Sequence, residues 1–346
     1  MGEPPPERRT MRDVARRAGV SVATVSRVLA NNDYRVTDET RAKVLRAARE
    51  MDFVVNAHAR ALARAHTRAV AFVVTNVVGP SFAEAAQGVE EEAAAHDRLC
   101  LVCTTHGDEA REDAVIELMR EQRADAVILV GGAIQNQHYR DRMARITRAL
   151  ESVGSRLVFC ARPPIGPGTP GTVVEYANEA GAYDITEYLL KRGHSNIAFL
   201  GGQKGHSTAT ERLRGYRRAL RAAGIRPDPA LVKAGDFSRE FGRAAIHELL
   251  AAGVDFTGVF AATDMVAAGA MQALREAGVD VPGQVSIVGY DDIPQTLDMV
   301  PALTTVHVPY DELGRAAVRL ALSGEPVQQL MLGIRLVERD SVRTLS

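Results

Sequence analysis

Arg212 and Asp291 are the residues whose chemistry is most suggestive. An ionised carboxylate accepts hydrogen bonds from neighbouring hydroxyls, and a guanidinium donates to others, an arrangement suited to a polyol. The same two residues read equally well as an inter-loop ion pair. Asp292 adjoins Asp291, but adjacency alone does not build an acid/base pair. Phe82 and Phe237 offer apolar faces for a ring, with core packing as the plainer role. Cys100-Leu-Val-Cys103 has CxxC spacing, yet it lies in an apolar run that reads as a buried strand. Residues i and i+3 of a strand point to opposite faces and cannot chelate one ion. Buried structural thiols are therefore expected, with no metal site. No GxxxxGK[ST], GxSxG or HExxH motif occurs, so neither catalytic residues nor a cofactor are expected.

A second chemistry lies near the N-terminus. Residues 1–68 carry 14 Lys+Arg against 8 Asp+Glu, a balance of +6, while the whole chain stands at −1. A basic module on an acidic body points to a polyanionic partner. Thr24, Ser26 and Arg27 would lie on one outer helical face, and those side chains suit phosphates and guanine edges.

The elements that must position these groups fall into two patterns. After a proline-rich tail (1–9), expected to be disordered, three short helices follow. Thr10 caps the first, with Asp13 completing a capping box, and Gly19 ends it. Ser21 caps the second and Thr37 the third. Inward positions are Met11, Val14, Ala15 and Ala18, then Val25, Val28 and Leu29, then Val44, Leu45 and Ala48. From residue 69 onward, apolar strands alternate with helices. Strands are expected at 69–75, 99–104, 126–130 and 157–160, and after a Pro/Gly stretch (162–171) at 197–200, 231–234, 258–261 and 285–289. That alternation implies parallel sheets flanked by helices, in two similar lobes. Ligands of such sheets bind beyond the carboxyl ends of the strands. The facing loops are 75–82, 104–108, 131–135, 201–212, 236–238, 262–264 and 290–292. No signal-peptide pattern and no span of about 18 apolar residues occurs, so a cytoplasmic protein with no membrane partner is expected.

The segment Met11-Arg-Asp-Val-Ala-Arg-Arg-Ala-Gly-Val-Ser-Val-Ala-Thr-Val-Ser-Arg-Val-Leu29 closely resembles the helix-turn-helix of the LacI/GalR family of transcription regulators. Asn56-Ala-His-Ala-Arg-Ala-Leu62 resembles that family's hinge helix. Arg192-Gly-His194, Arg212-Leu-Arg-Gly-Tyr216, Gly235-Asp-Phe237, Gly289-Tyr-Asp-Asp292 and Pro301-Ala-Leu-Thr-Thr-Val306 resemble landmarks of its effector domain. The resemblance implies an all-α helix-turn-helix domain (10–55), a hinge (56–66) and an α/β, two-lobed effector domain like periplasmic binding proteins (67–346). The first lobe would hold about 67–161 with 293–323, the second about 162–292 with 324–346. It further implies a homodimer on pseudo-palindromic duplex operator DNA, repressing transcription under a small-molecule effector. That effector would be a sugar or sugar derivative, with a nucleoside or purine as the alternative.

By the same resemblance, Val22 and Ala23 take the base-reading positions and Arg27 a guanine contact. Thr10, Ser21, Thr24, Ser26 and Asn31 take phosphate contacts. Leu62 would wedge into the minor groove with Ala59 beside it. Ser81, Phe82, Gly132, Arg162, His206, Thr208, Arg212, Phe237, Thr263 and Asp291 would line the effector cleft. The chain departs from the family pattern at Ala30, where Asn is frequent, and at Thr263, where many relatives have Asn. Ala161 and Ala177 each replace an Asp, which implies a ligand with fewer hydroxyls or one reached differently. No leucine heptads follow Arg339-Asp-Ser341, so a tetramer built on a C-terminal coiled coil is not expected. A solute-binding protein and an enzyme are the competing classes. The DNA-binding head argues against the first, and the missing catalytic motifs against the second.

Overall fold

The computed structural model describes residues 9–29, 36–53, 67–162, 171–325 and 327–345. Two compact units divide the chain, residues 1–67 and 68–346. The tail 1–8 and the positions Ala30, Asn31, Ala59 and Leu62, with the hinge proper, lie outside the described residues.

The first unit consists of α1 (Met11–Ala18), α2 (Val22–Leu29) and α3 (Asp38–Glu50). Each start is set by a local hydrogen bond. The Thr10 amide donates to the Asp13 carboxylate at 2.9 Å, and the Ser21 hydroxyl accepts from Thr24 N at 3.1 Å. Thr37 accepts from Thr40 N. Gly19 ends α1 at φ 67°, a left-handed cap that glycine adopts without a Cβ penalty. Val14, Val25, Val28 and Val44 form a small core with Ala15, Ala47 and Ala48. Leu45, expected inside, is instead 39% exposed. The buried stripe of α3 runs through 44, 47 and 48, and position 45 sits about 100° round the helix from 44. An Arg17–Glu50 ion pair at 2.8 Å ties α1 to α3 at the surface.

The second unit opens with β1 (Ala69–Val74), α4 (Pro80–Ala95), β2 (Leu99–Thr104), α5 (Glu109–Glu121), β3 (Ala126–Val130), α6 (Gln137–Glu151), β4 (Arg156–Cys160) and β5 (Thr172–Tyr176). It continues with α7 (Asn178–Lys191), β6 (Ile197–Leu200), α8 (Ser207–Ala222), β7 (Val232–Lys233), α9 (Arg239–Ala251), β8 (Gly258–Ala261), α10 (Asp264–Glu276) and β9 (Ser286–Val288). It ends with β10 (Thr305–His307), α11 (Tyr310–Leu322), β11 (Gln329–Leu332) and β12 (Arg335–Val337). The first lobe's sheet has the parallel order β11-β5-β4-β3-β1-β2 and the second lobe's has β7-β6-β8-β9.

Strand alternation explains the continuous apolar runs. In β1, Val70, Phe72 and Val74 face α4 and α11, whereas Ala71 and Val73 face α5 and α6. Both faces are covered, so every residue of β1 is buried.

Three expectations are corrected. β2 is not a buried strand: it pairs only with β1, at the sheet edge, and Leu99 and Val102 are 69% and 49% exposed. Cys100 and Cys103 are accordingly half-buried; of the three thiols only Cys160 is buried. The lobes also divide differently. β5 and β11, assigned to the second lobe, extend the first lobe's sheet. Leu303, assigned to the first, packs in the second lobe's core. The chain thus passes between lobes after Tyr176 and through the two-stranded ribbon of β10 and β12.

Candidate functional site

The cleft is built from loops at the carboxyl ends of the two sheets. Phe82 lies one turn into α4, with its ring edge 3.5 Å from the position a Gly131 Cβ would take. Across the cleft, His206 and Phe237 meet edge to face, with centroids 5.4 Å apart. Ser81 is half-buried at the start of α4, and Thr208 at the start of α8. His206, expected within the loop 201–212, immediately precedes α8, which begins at Ser207. Burial pushes its imidazole down to about 4, helped by Arg212 and Arg162 and opposed by the Gly132 backbone.

Arg212 is the structural centre. It is 1% exposed. Its Nε donates to Asn178 Oδ1 at 2.9 Å, and one terminal nitrogen donates to the Ala262 carbonyl. The other donates to Tyr176 Oη at 3.0 Å and Asp291 Oδ1 at 3.1 Å. The guanidinium also stacks 3.7 Å from the centre of the Tyr290 ring. Protein acceptors therefore engage all three nitrogens of Arg212, which gives it a positioning role beside the ligand contact expected of it. It joins α8 to the first interlobe crossing and to the loop after β9.

Asp291 is buried, with one carboxylate oxygen engaged by protein donors. Its Oδ1 accepts from Arg212 and from Tyr310 Oη at 2.8 Å, while Oδ2 accepts from no described residue. Burial raises its carboxyl, against the opposing pull of Arg212 and Tyr310. Its backbone is strained, with φ 117° at Asp291 and 62° at Asp292. Non-glycine residues hold such angles at a cost, and they cluster where geometry serves a function. Asp292 is locked by His307 at 3.0 Å and Arg339 at 2.6 Å. These two ion pairs make it a strut between the loop after β9 and the β10–β12 ribbon.

Arg162 is likewise buried and engaged. Its Nε donates to Gly131 O at 3.0 Å and its terminal nitrogens approach Glu112, which also binds Arg142 at 3.0 Å. Thr263 caps α10 by accepting from Val266 N at 3.2 Å. Thr263→Ala should therefore lower stability by about 1 kcal/mol with no ligand present, and Thr263→Ser should restore it. Thermal melts of the two variants check this; equal melts for Thr263→Ala and the parent would return the hydroxyl to a ligand role alone.

Sequence reasoning missed Tyr176, Asn178, Ser207, Tyr310 and the carboxylate pair Glu175 and Glu211. The last two line a small cavity with Ser207 and Thr208. Burial first, then Glu211, pushes Glu175 up to about 7. A charged residue in an apolar run would have been the signal for Glu175, had β5 been read as a strand.

In the first unit, Ser21, Val22, Ala23, Ser26 and Arg27 are exposed along α2 and its cap, Thr10 is exposed, and Thr24 is half-buried. α2 therefore presents the side chains that a groove-reading helix needs while Val25 and Val28 anchor it from behind.

Residues 10–56 match the family described as bacterial regulatory proteins, lacI family, and residues 186–342 match the periplasmic binding protein-like domain. The HTH-type transcriptional regulator GalR of Escherichia coli (strain K12) is 34% identical over 97% of this chain and 96% of its own. This chain belongs to the lacI family. It is a DNA-binding transcriptional regulator with a periplasmic-binding-protein-like domain. The HTH-type transcriptional regulator DegA of Bacillus subtilis (strain 168) is 33% identical over 97% of this chain and 99% of its own. Among solved structures, the lac repressor dimer bound to operator and an anti-inducer superposes at a TM-score of 0.83, with 26% identity, over 97% of this chain and 100% of that one. A regulator–cellobiose complex, CelR, matches at 0.70 and 30% identity over 96% and 100%. Among the described residues no helix is long and apolar enough to cross a membrane.

Proposed function

We propose that this lacI-family protein is a cytoplasmic, non-catalytic repressor that binds a pseudo-palindromic operator as a homodimer and changes its grip when a sugar or sugar derivative enters the cleft. The observation that carries the effector class is Asp291: a carboxylate oriented through Oδ1 by Arg212 and Tyr310, with Oδ2 left to accept from a ligand hydroxyl. The rings of Phe82 and Phe237 favour a second reading, a nucleoside or purine, because a planar base would lie against them. The homodimer is supported by exposed apolar surface: Leu99, Val102 and Leu118 on the first lobe, Leu297 and Val300 on the second. A groove of about 520 Å³ lined by Met265, Met271, Met299 and Val300 adjoins the latter.

In this reading Ser21, Val22, Ala23, Ser26 and Arg27 meet DNA, with Thr10, Thr24 and Asn31, and the hinge with Ala59 and Leu62 enters the minor groove. Effector and operator would be coupled by about 1–3 kcal/mol, reciprocally.

The test is a thermal-shift screen of the purified full-length protein against sugars, sugar phosphates and nucleosides, followed by operator titrations. Asp291→Ala should abolish the ligand shift and keep DNA affinity. Leu62→Ala should weaken operator binding by roughly tenfold, the scale of a lost wedge contact, and keep the ligand shift. Loss of both functions in either folded variant would end the division of labour, and tight binding of an ordinary hexose would end the reading of a ligand with fewer hydroxyls.

A further inference from the structure

The two lobes are joined across the cleft by a direct contact between protein groups, made where Gly132, His206 and Thr208 of the expected effector lining meet. Ser207 N donates to Ala133 O at 2.9 Å, and Ala133 N donates to Ser207 Oγ at 3.1 Å. Next to this reciprocal pair, Ile134 and His206 form an isolated antiparallel β-bridge. A first-lobe loop and the start of a second-lobe helix thus pair as a fragment of sheet.

Gly132 makes the approach possible. A Cβ there would stand 2.4 Å from His206 Cε1, 2.6 Å from Thr208 Oγ1 and 2.8 Å from Ser207 Oγ. Its neighbour Gly131 needs glycine for its backbone, at φ 88°, but Gly132 is absent from the positive-φ residues. Glycine at 132 therefore serves space and not dihedral freedom. The first-lobe side is braced from beneath, since Arg162 holds the Gly131 carbonyl while paired with buried Glu112. The second-lobe side belongs to α8, which Arg212 pins one turn further on.

We propose that Gly131–Ile134 and His206–Thr208 form an interlobe latch, a contact between protein groups alone that holds the cleft mouth shut and must be opened or bypassed by anything entering there. Gly132 and Ser207 are its positioning residues. The proposal concerns contacts within this chain and stands whichever effector the cleft takes.

Helix geometry makes the latch measurable. The first amides of a helix have no intrahelical acceptor, so Ser207 N, at the first position of α8, owes its partner to Ala133 across the cleft. Amide hydrogen exchange on the full-length protein, without added ligand, reads it directly, and small-angle scattering reads lobe separation. Protection of Ser207 and Ala133 should be clear in the parent protein. In Gly132→Val and in Ser207→Ala both amides should exchange at least about tenfold faster, with β1 and β8 unchanged, and Gly132→Val should raise the radius of gyration. Should Gly132→Val fail to fold, Ser207→Ala and the parent protein suffice. Exchange of the Ser207 amide at the rate of an open chain in the parent overturns the latch, as does parent-like exchange in both folded variants.

Discussion

Arg212→Met should destabilise the fold by about 3–5 kcal/mol, because it leaves a buried carboxylate without its cation. The thermal midpoint should drop by roughly 10 °C on the scale expected for a domain of this size. Methionine fills much of the volume and keeps the apolar stem packed, so the loss reports the head group. Four acceptors lose their donor together: Asn178 Oδ1, the Ala262 carbonyl, Tyr176 Oη and Asp291 Oδ1. Arg212→Lys should recover little, since one ammonium cannot reach acceptors arranged around a planar fork. Adding Asp291→Asn to Arg212→Met should restore part of the loss by removing the stranded charge, and the double-mutant cycle measures the coupling. Arg212→Met within about 1 kcal/mol of the parent would show that the pair is dispensable for folding and leave Arg212 with a ligand-binding role alone.

That contrast shows where the sequence is legible. Both Arg212 and Asp291 were picked out by type and by family resemblance, but side-chain chemistry alone does not say whether a guanidinium points at a ligand or at Asn178. The helix-turn-helix is readable because it is local: caps, a glycine stop and a valine stripe all lie within a few residues of the groups they position. Leu45 was misplaced because one residue of phase separates a buried from an exposed face. β1 is readable because Ala-Val-Ala-Phe-Val-Val is covered on both sides. β2 has the same apolar character but lies at an edge, and edge position is a property of the sheet order, not of the strand. β11 escaped because its sheet partner is distant in sequence: it pairs with β5, about 155 residues away in numbering, whereas β5 pairs with nearby β4 and escaped because it directly follows the Pro/Gly stretch. Glu175 went with them, since its surroundings come from β5 and α8 together.

Glu175→Gln should make the protein more stable at pH 8 by about 1–2 kcal/mol, allowing for solvent screening of a half-buried group. The sign follows from proton counting. Folding raises the Glu175 carboxyl from 4.5 to about 7. Between those values the folded state holds a proton that the unfolded chain has lost, so stability falls as pH rises through the window. His206 works in the opposite sense. Folding lowers it from 6.5 to about 4. Between pH 4 and 6.5 the unfolded chain holds the extra proton, so this contribution to stability grows with pH. From about pH 4.5 to 6.5 the two slopes oppose each other across one cleft, and their sum in the parent should be nearly flat. Relative to the parent, Glu175→Gln should tilt the profile upward between about pH 4.5 and 7, and His206→Gln should tilt it downward between about pH 4 and 6.5. Urea midpoints taken in half-unit steps from pH 4 to 8 decide the matter. Profiles for both variants parallel to the parent's would show that neither group is displaced by its surroundings. If only Glu175→Gln remained parallel, water entering the cavity beside Ser207 and Thr208 would be relieving first the burial of Glu175 and then its repulsion by Glu211, and that corner of the cleft would be open enough to admit a ligand's polar group.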